Sequence, residues 1–83
     1  MTNNVKAKHM SIIDLKNGQQ GKIIHIQGGP GVSRKLGNMG IRVGSPVRHL
    51  SGHAMKGPIV VQSGRTQIAM GHGLASQIVI EKI

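Results

Sequence analysis

Along most of this chain the apolar residues recur at every second position, and in one place they recur every third or fourth. A period of two marks a half-buried strand, whereas a period near 3.6 marks an amphipathic helix. The alternation predicts strands over residues 20–27, 46–51, 58–63, 66–70 and 77–82. In the first, Ile24 and Ile26 share one face, and Ile23, His25 and Gln27 share the other. In the second, Val47 and His49 oppose Arg48 and Leu50; in the third Ile59 and Val61 share a face, as do Ile68 and Met70 in the fourth. The exception is residues 32–39, where Val32, Leu36 and Met39 stand at i, i+4 and i+7. That stripe predicts one short helix lying on the strands.

The punctuation agrees with this division. Gly28-Gly29-Pro30-Gly31 ends the first strand and launches the helix, and Gly40 sits where a helix is closed by a residue of positive φ. Ser63-Gly64 suits a tight hairpin connection. Gly71-His72-Gly73 breaks the chain, leaving Leu74-Ala75-Ser76 as a short turn of helix at most. Upstream, Ser11 can cap a single helical turn over residues 12–16, with Asp14 near its positive end, and Asn17-Gly18 stops it. Leu15 is the buried residue expected of this lead-in. Residues 1–10 are polar and aperiodic and read as a flexible N-terminal tail, with 11–83 as a single domain. Five short strands, closely spaced turns and 13 glycines predict a mainly β fold. It is a small, strongly bent barrel of about five strands with one short helix after the first.

Composition narrows the function. With no Phe, Tyr or Trp, the chain cannot hold single-stranded nucleic acid by base stacking or proline-rich peptides in an aromatic groove. With no cysteine it has no disulfide and no thiolate metal site. Eleven Lys and Arg face only two acids, a net charge of +9, which favours an anionic partner. The bases are scattered, with only Arg34-Lys35 adjacent, so a merely solvated basic surface is the competing reading. Asp14 and Glu81 lie at opposite ends of the chain, too separated in sequence to suggest an acid–base pair. No Gly-x-Ser-x-Gly elbow is present, and no enzymatic activity is expected. No apolar run is long enough to span a bilayer and the N-terminus has no apolar signal core, so a cytoplasmic location is expected.

Two constellations invite chemistry. His53-Ala54-Met55, with His49 four residues upstream, could bind a softer ion such as copper or zinc. The spacing of His49, His53 and Met55 is not that of a helical pair, and adventitious surface histidines are the alternative. No cofactor beyond such a transition metal is indicated. The glycine-rich opening at residues 28–31 precedes a helix, whose first N–H groups attract anions. It matches neither the P-loop nor the dinucleotide spacing. Arg34 and Lys35 on the next helical turn still make it the strongest anion site on the surface.

A set of motifs resembles a known family: Gly18, the segment Gly21-Lys22-Ile23-Ile24-His25-Ile26-Gln27-Gly28-Gly29, Arg34-Lys35-Leu36, Asn38-Met39-Gly40-Ile41, Gly44-Ser45-Pro46-Val47, Gly57-Pro58-Ile59-Val60-Val61, and Gly64 with Ile68-Ala69-Met70. From about Met10 to Ile83 the chain is similar to the ferrous iron transport protein A (FeoA) family. Its fold is an SH3-like barrel, also found at the C-terminus of metal-dependent transcriptional repressors. The resemblance implies a cytoplasmic accessory protein of ferrous iron uptake. Such a protein works at the inner face of the membrane by contact with the cytoplasmic part of a ferrous iron permease. The candidate contact residues are Arg34, Lys35, Arg42 and Lys56. The chain departs from the family pattern at Gly37, where an apolar residue such as leucine is usual, and at Lys56-Gly57, where an acidic residue usually precedes the Pro-Ile pair. Gly37 predicts a loosely held helix, and the basic bias leaves the partner surface open. A barrel binding nucleic acid through phosphates alone, without sequence specificity, and a metal-sensing relative of the repressor domain are the other readings. Exposed Ile and Val on edge strands leave self-association open.

Overall fold

The computed structural model describes residues 10–52 and 57–83. Six antiparallel strands form one sheet in the order β1-β6-β2-β3-β4-β5. They are β1 (Met10–Ser11), β2 (Gln20–Ile26), β3 (Pro46–Ser51), β4 (Ile59–Ser63), β5 (Thr66–Met70) and β6 (Ile78–Lys82). The five strands expected from alternation are present to within one residue at each end. The sixth, β1, is two residues long, too short to carry a period, and it pairs Met10 with Ile80 and Ser11 with Val79. Two helices complete the fold, α1 (Pro30–Asn38) after β2 and α2 (His72–Ser76) before β6. The result is the mainly β, SH3-like architecture.

One core holds it together. Ile23 and Ile26 from β2, Val47 from β3, Ile59 and Val61 from β4, Met70 from β5, and Ile78 and Ile80 from β6 all bury into the same cluster as Leu36 of α1, Ala75 of α2 and Ile41. The core is almost wholly aliphatic, and each of its larger side chains contributes about 1.5–3 kcal/mol of burial.

The expected faces of β2 need correcting. Ile23 lies opposite Ile80 and His25 opposite Val79, so Ile24 is an extra residue against β6. This bulge shifts the phase of the strand. Ile23 and Ile26 both enter the core, Ile24 is half-buried and His25 is exposed. The hairpin joining β4 to β5 also moves by one residue: Ser63 pairs with Thr66, leaving Gly64 and Arg65 as the turn.

The lead-in is shorter than residues 12–16. It is one 3-10 turn, Ile12–Asp14, closed by a capping box. The Ser11 hydroxyl accepts from the Ile13 N–H at 3.2 Å, and the Asp14 carboxylate accepts from the Ser11 N–H at 2.9 Å. Ile12 and Leu15 are buried beneath it. At the end of β3 the chain passes so close to β4 that only glycine fits. Gly52 has φ +93°, and a Cβ there would lie 2.6 Å from the Pro58 carbonyl oxygen.

Candidate functional site

The region from α1 to the start of β3 is assembled from both ends. Pro30 opens α1 at a position where its missing N–H is no loss. At the other end Gly40 takes φ +88°. Its N–H donates to the Gly37 carbonyl at 3.0 Å, and the Ile41 N–H donates to the Leu36 carbonyl at 2.9 Å. These are the two bonds of a Schellman cap, and the residues at its apolar contact positions, Leu36 and Ile41, are both fully buried. The predicted stripe does its work: Leu36 is in the core, and Val32 and Met39 are half-buried against it.

The chain then turns at once. The Ser45 N–H donates to the Arg42 carbonyl at 3.0 Å, which makes residues 42–45 a β-turn. Two further bonds fix this turn to β2: Gly44 N–H to the Ile23 carbonyl at 2.7 Å, and Ile23 N–H to the Ser45 carbonyl at 2.9 Å. Arg42 and Val43 are therefore carried on a braced corner beside α1. Between the corner and the helix runs a groove of about 410 Å³. Ile26 and Gly37 line it with Arg34, Asn38, Arg42 and Val43. A Cβ on Gly37 would lie 3.7 Å from Nε of Arg42, so the Arg42 side chain crosses the helix where a glycine leaves room.

No carboxylate lines this groove. The two acids of the chain lie elsewhere. Asp14 closes the lead-in cap, and Glu81 on β6 faces Lys22 across the strand pair with β2. Arg48 is also engaged, donating to the Gly18 carbonyl at 3.2 Å and to Oε1 of Gln20 at 3.1 Å.

The structure sorts the residues singled out from the sequence. Arg34 and Arg42 come together on the groove. Lys35 is exposed but does not line it, since successive helical residues point about 100° apart. Lys56, His53 and Met55 lie outside the described residues. His49 is buried, with Nδ1 2.8 Å from the Leu15 carbonyl and Nε2 3.0 Å from the Ser51 carbonyl. Both ring nitrogens are occupied by backbone oxygens, and a metal ion could reach either only by displacing one. Among the described residues no group of three His, Cys, Asp or Glu is placed to hold a metal ion. No helix among them is long and apolar enough to cross a membrane.

The sequence reading missed the pairing of Arg42 with the helix across Gly37, for which the absent side chain at residue 37 was the one signal. It also missed a groove of about 480 Å³ beside the β2 bulge, where Met10, Ile24 and Val79 lie with Asp14 and His25.

Comparison with known proteins gives a consistent result. The family model for the FeoA domain matches residues 10–82. A protein of Methanocaldococcus jannaschii described as a Fe(2+) transport protein A is 32% identical over 66 residues, covering 80% of this chain and 78% of its own. A crystal structure of an iron uptake regulatory protein (FeoA) superposes with a TM-score of 0.79 at 29% identity, over 90% of this chain and 97% of the other. A FeoA-like protein from Clostridium acetobutylicum superposes at 0.78 and 22% identity, over 92% and 88%. A manganese-dependent transcriptional repressor superposes at 0.79 and 21% identity, over 90% of this chain but 42% of its own. The last two show a shared fold.

Proposed function

The chain belongs to the FeoA domain family, and from that premise we propose that it is a cytoplasmic accessory protein of ferrous iron uptake. It binds the cytoplasmic part of a ferrous iron permease and modulates transport by contact rather than by chemistry of its own. The observation that carries this reading is the pairing of Arg34 with Arg42 on a groove that no carboxylate lines. A surface of one sign that is not neutralised within its own fold draws a partner of the other sign and speeds their encounter. Lys35, exposed beside the groove, adds to the same field.

Capture of the permease's purified cytoplasmic domain on the immobilised full chain tests it. The wild type is expected to retain the domain at physiological ionic strength and to release it as salt rises. The Arg34→Glu/Lys35→Glu/Arg42→Glu variant is expected not to retain it. Failure of the wild type to retain the domain, or equal retention by both, would show the reading to be wrong.

A further inference from the structure

We propose that the groove between α1 and the 42–45 turn is a docking site for a short acidic peptide segment that carries an apolar residue between its carboxylates. The inference rests on the reading above for which protein supplies the segment, and on the groove alone for the segment's chemistry. At about 410 Å³ the space suits a few side chains. Two of its residues are arginines, whose planar guanidinium forks match carboxylates in pairs of parallel bonds. The rest of the lining is mixed: Ser33 and Asn38 add polar side chains, Ile26 and Gly37 add none, and Val43 stands in the groove 61% exposed. Val43 is one of two large apolar side chains exposed among the described residues, the other being Ile83 at the C-terminal end. An apolar group held out by a braced turn, on the same groove as two arginines, fits a ligand that alternates charge with hydrocarbon.

Other anionic ligands fit less well. A phosphodiester backbone has nothing apolar to lay against Val43 and Ile26. A bilayer meets convex surfaces more readily than a cleft between a helix and a turn. The groove is also built in advance: the Schellman cap fixes the helix end, and the bonds from Gly44 and Ser45 to Ile23 fix the turn. Less ordering is then needed on binding, and affinity rises accordingly.

The test is a titration of the ¹⁵N-labelled full chain, followed by NMR, with the capped peptide Glu-Glu-Leu-Glu-Glu. The same peptide with Ala for Leu and an all-lysine version of it are the controls. Shifts are expected at residues 26, 33–38 and 42–43. Binding by the Ala peptide should be about fivefold weaker, as expected for loss of a partly buried leucine. The lysine peptide should not bind. Arg34→Glu/Arg42→Glu should abolish the shifts, whereas Lys16→Glu/Arg65→Glu, which changes the charge equally at exposed positions away from the groove, should leave them in place. Val43→Ser, at a site too exposed to threaten folding, should remove the preference for Leu over Ala. Shifts scattered over the basic surface, equal binding of the two acidic peptides, or equal loss in both charge variants would overturn the proposal. So would groove shifts produced by phosphatidylserine vesicles or duplex DNA but not by the peptide. The titration needs no permease. Peptide binding without capture of the permease domain removes the proposed partner and keeps the groove, and the reverse removes the groove and keeps the partner.

Discussion

The groove beside α1 and the crossing of the lead-in under β3 use their polar side chains in opposite directions. At the crossing, His49, the one imidazole buried among the described residues, lies with its two ring nitrogens against carbonyls far apart in sequence, those of Leu15 and Ser51. At the groove, Leu36 is buried beneath the helix while Arg34, Arg42 and Val43 stand at the surface, and no carboxylate lining the space opposes the cationic charge. Histidine in the first place is scaffold, and arginine in the second is surface to be read. A satisfied buried polar group mainly fixes which segments lie together, because exposing its partners is costly. A charge held in solvent adds little to stability and is free for recognition. The same sheet thus separates what holds the fold from what meets a partner.

The strongest attack on this comparison removes the anchor from beneath the groove. Leu36→Ala should lower the unfolding free energy by about 2–5 kcal/mol, the range for deleting a fully buried leucine side chain. Denaturant unfolding measures it. A loss below about 1 kcal/mol, the scale of a mild core trimming such as Ile to Val, would mean that α1 is not held by its stripe. Gly52→Ala comes next. It forces a side chain into positive φ, at about 1–2 kcal/mol, and drives its Cβ towards the Pro58 carbonyl. Thermal unfolding should show a loss of at least that size, with peptide binding at the groove unaltered. His49→Leu should cost about 1–3 kcal/mol, because the leucine fills the space but removes the ring N–H that one of the Leu15 and Ser51 carbonyls accepts. Faster amide exchange around residues 15–19 and 49–52, with the α1 amides unchanged, would place the damage at the crossing. Matching loss of protection in α1 would show the two regions to be one cooperative unit.

Much of this was legible along the chain because it depends on local pattern. The stripe of Val32, Leu36 and Met39, the closing Gly40, the buried Leu15 and the five longer strands all follow from spacing and turn chemistry within a few residues. What was not legible depends on contacts across the sheet. The bulge at Ile24 is set by the register against Ile80 and Val79, and a single extra residue reverses the faces that alternation assigns. His49 falls on the same face as Val47, as its alternation requires, but its role depends on a carbonyl 34 residues away. Arg34 and Lys35 stand side by side in the sequence and diverge on the helix, while Arg42, after the Schellman cap reverses the chain, arrives at the groove in place of Lys35.

The smallest expected effect is also the one that separates the two uses of the site. Gly37 lies inside α1 without positive φ, so it has the entropic cost of glycine in a helix and none of its steric advantage. Gly37→Ala should therefore raise stability by about 0.5–1 kcal/mol, because its Cβ meets Nε of Arg42 at an ordinary contact distance of 3.7 Å. In a domain of this size the melting temperature should rise by roughly 2–8 °C. Binding of the acidic peptide should hardly change, since Arg42 keeps its place. Gly37→Leu should gain helix propensity in the same way but send a long apolar side chain into the space between Arg34 and Arg42. The variant should be at least as stable as the wild type and bind the leucine-bearing peptide more weakly. Should Gly37→Leu bind as well as the wild type, the peptide does not sit against Gly37, and the glycine's role in opening the groove is lost while the basic surface remains.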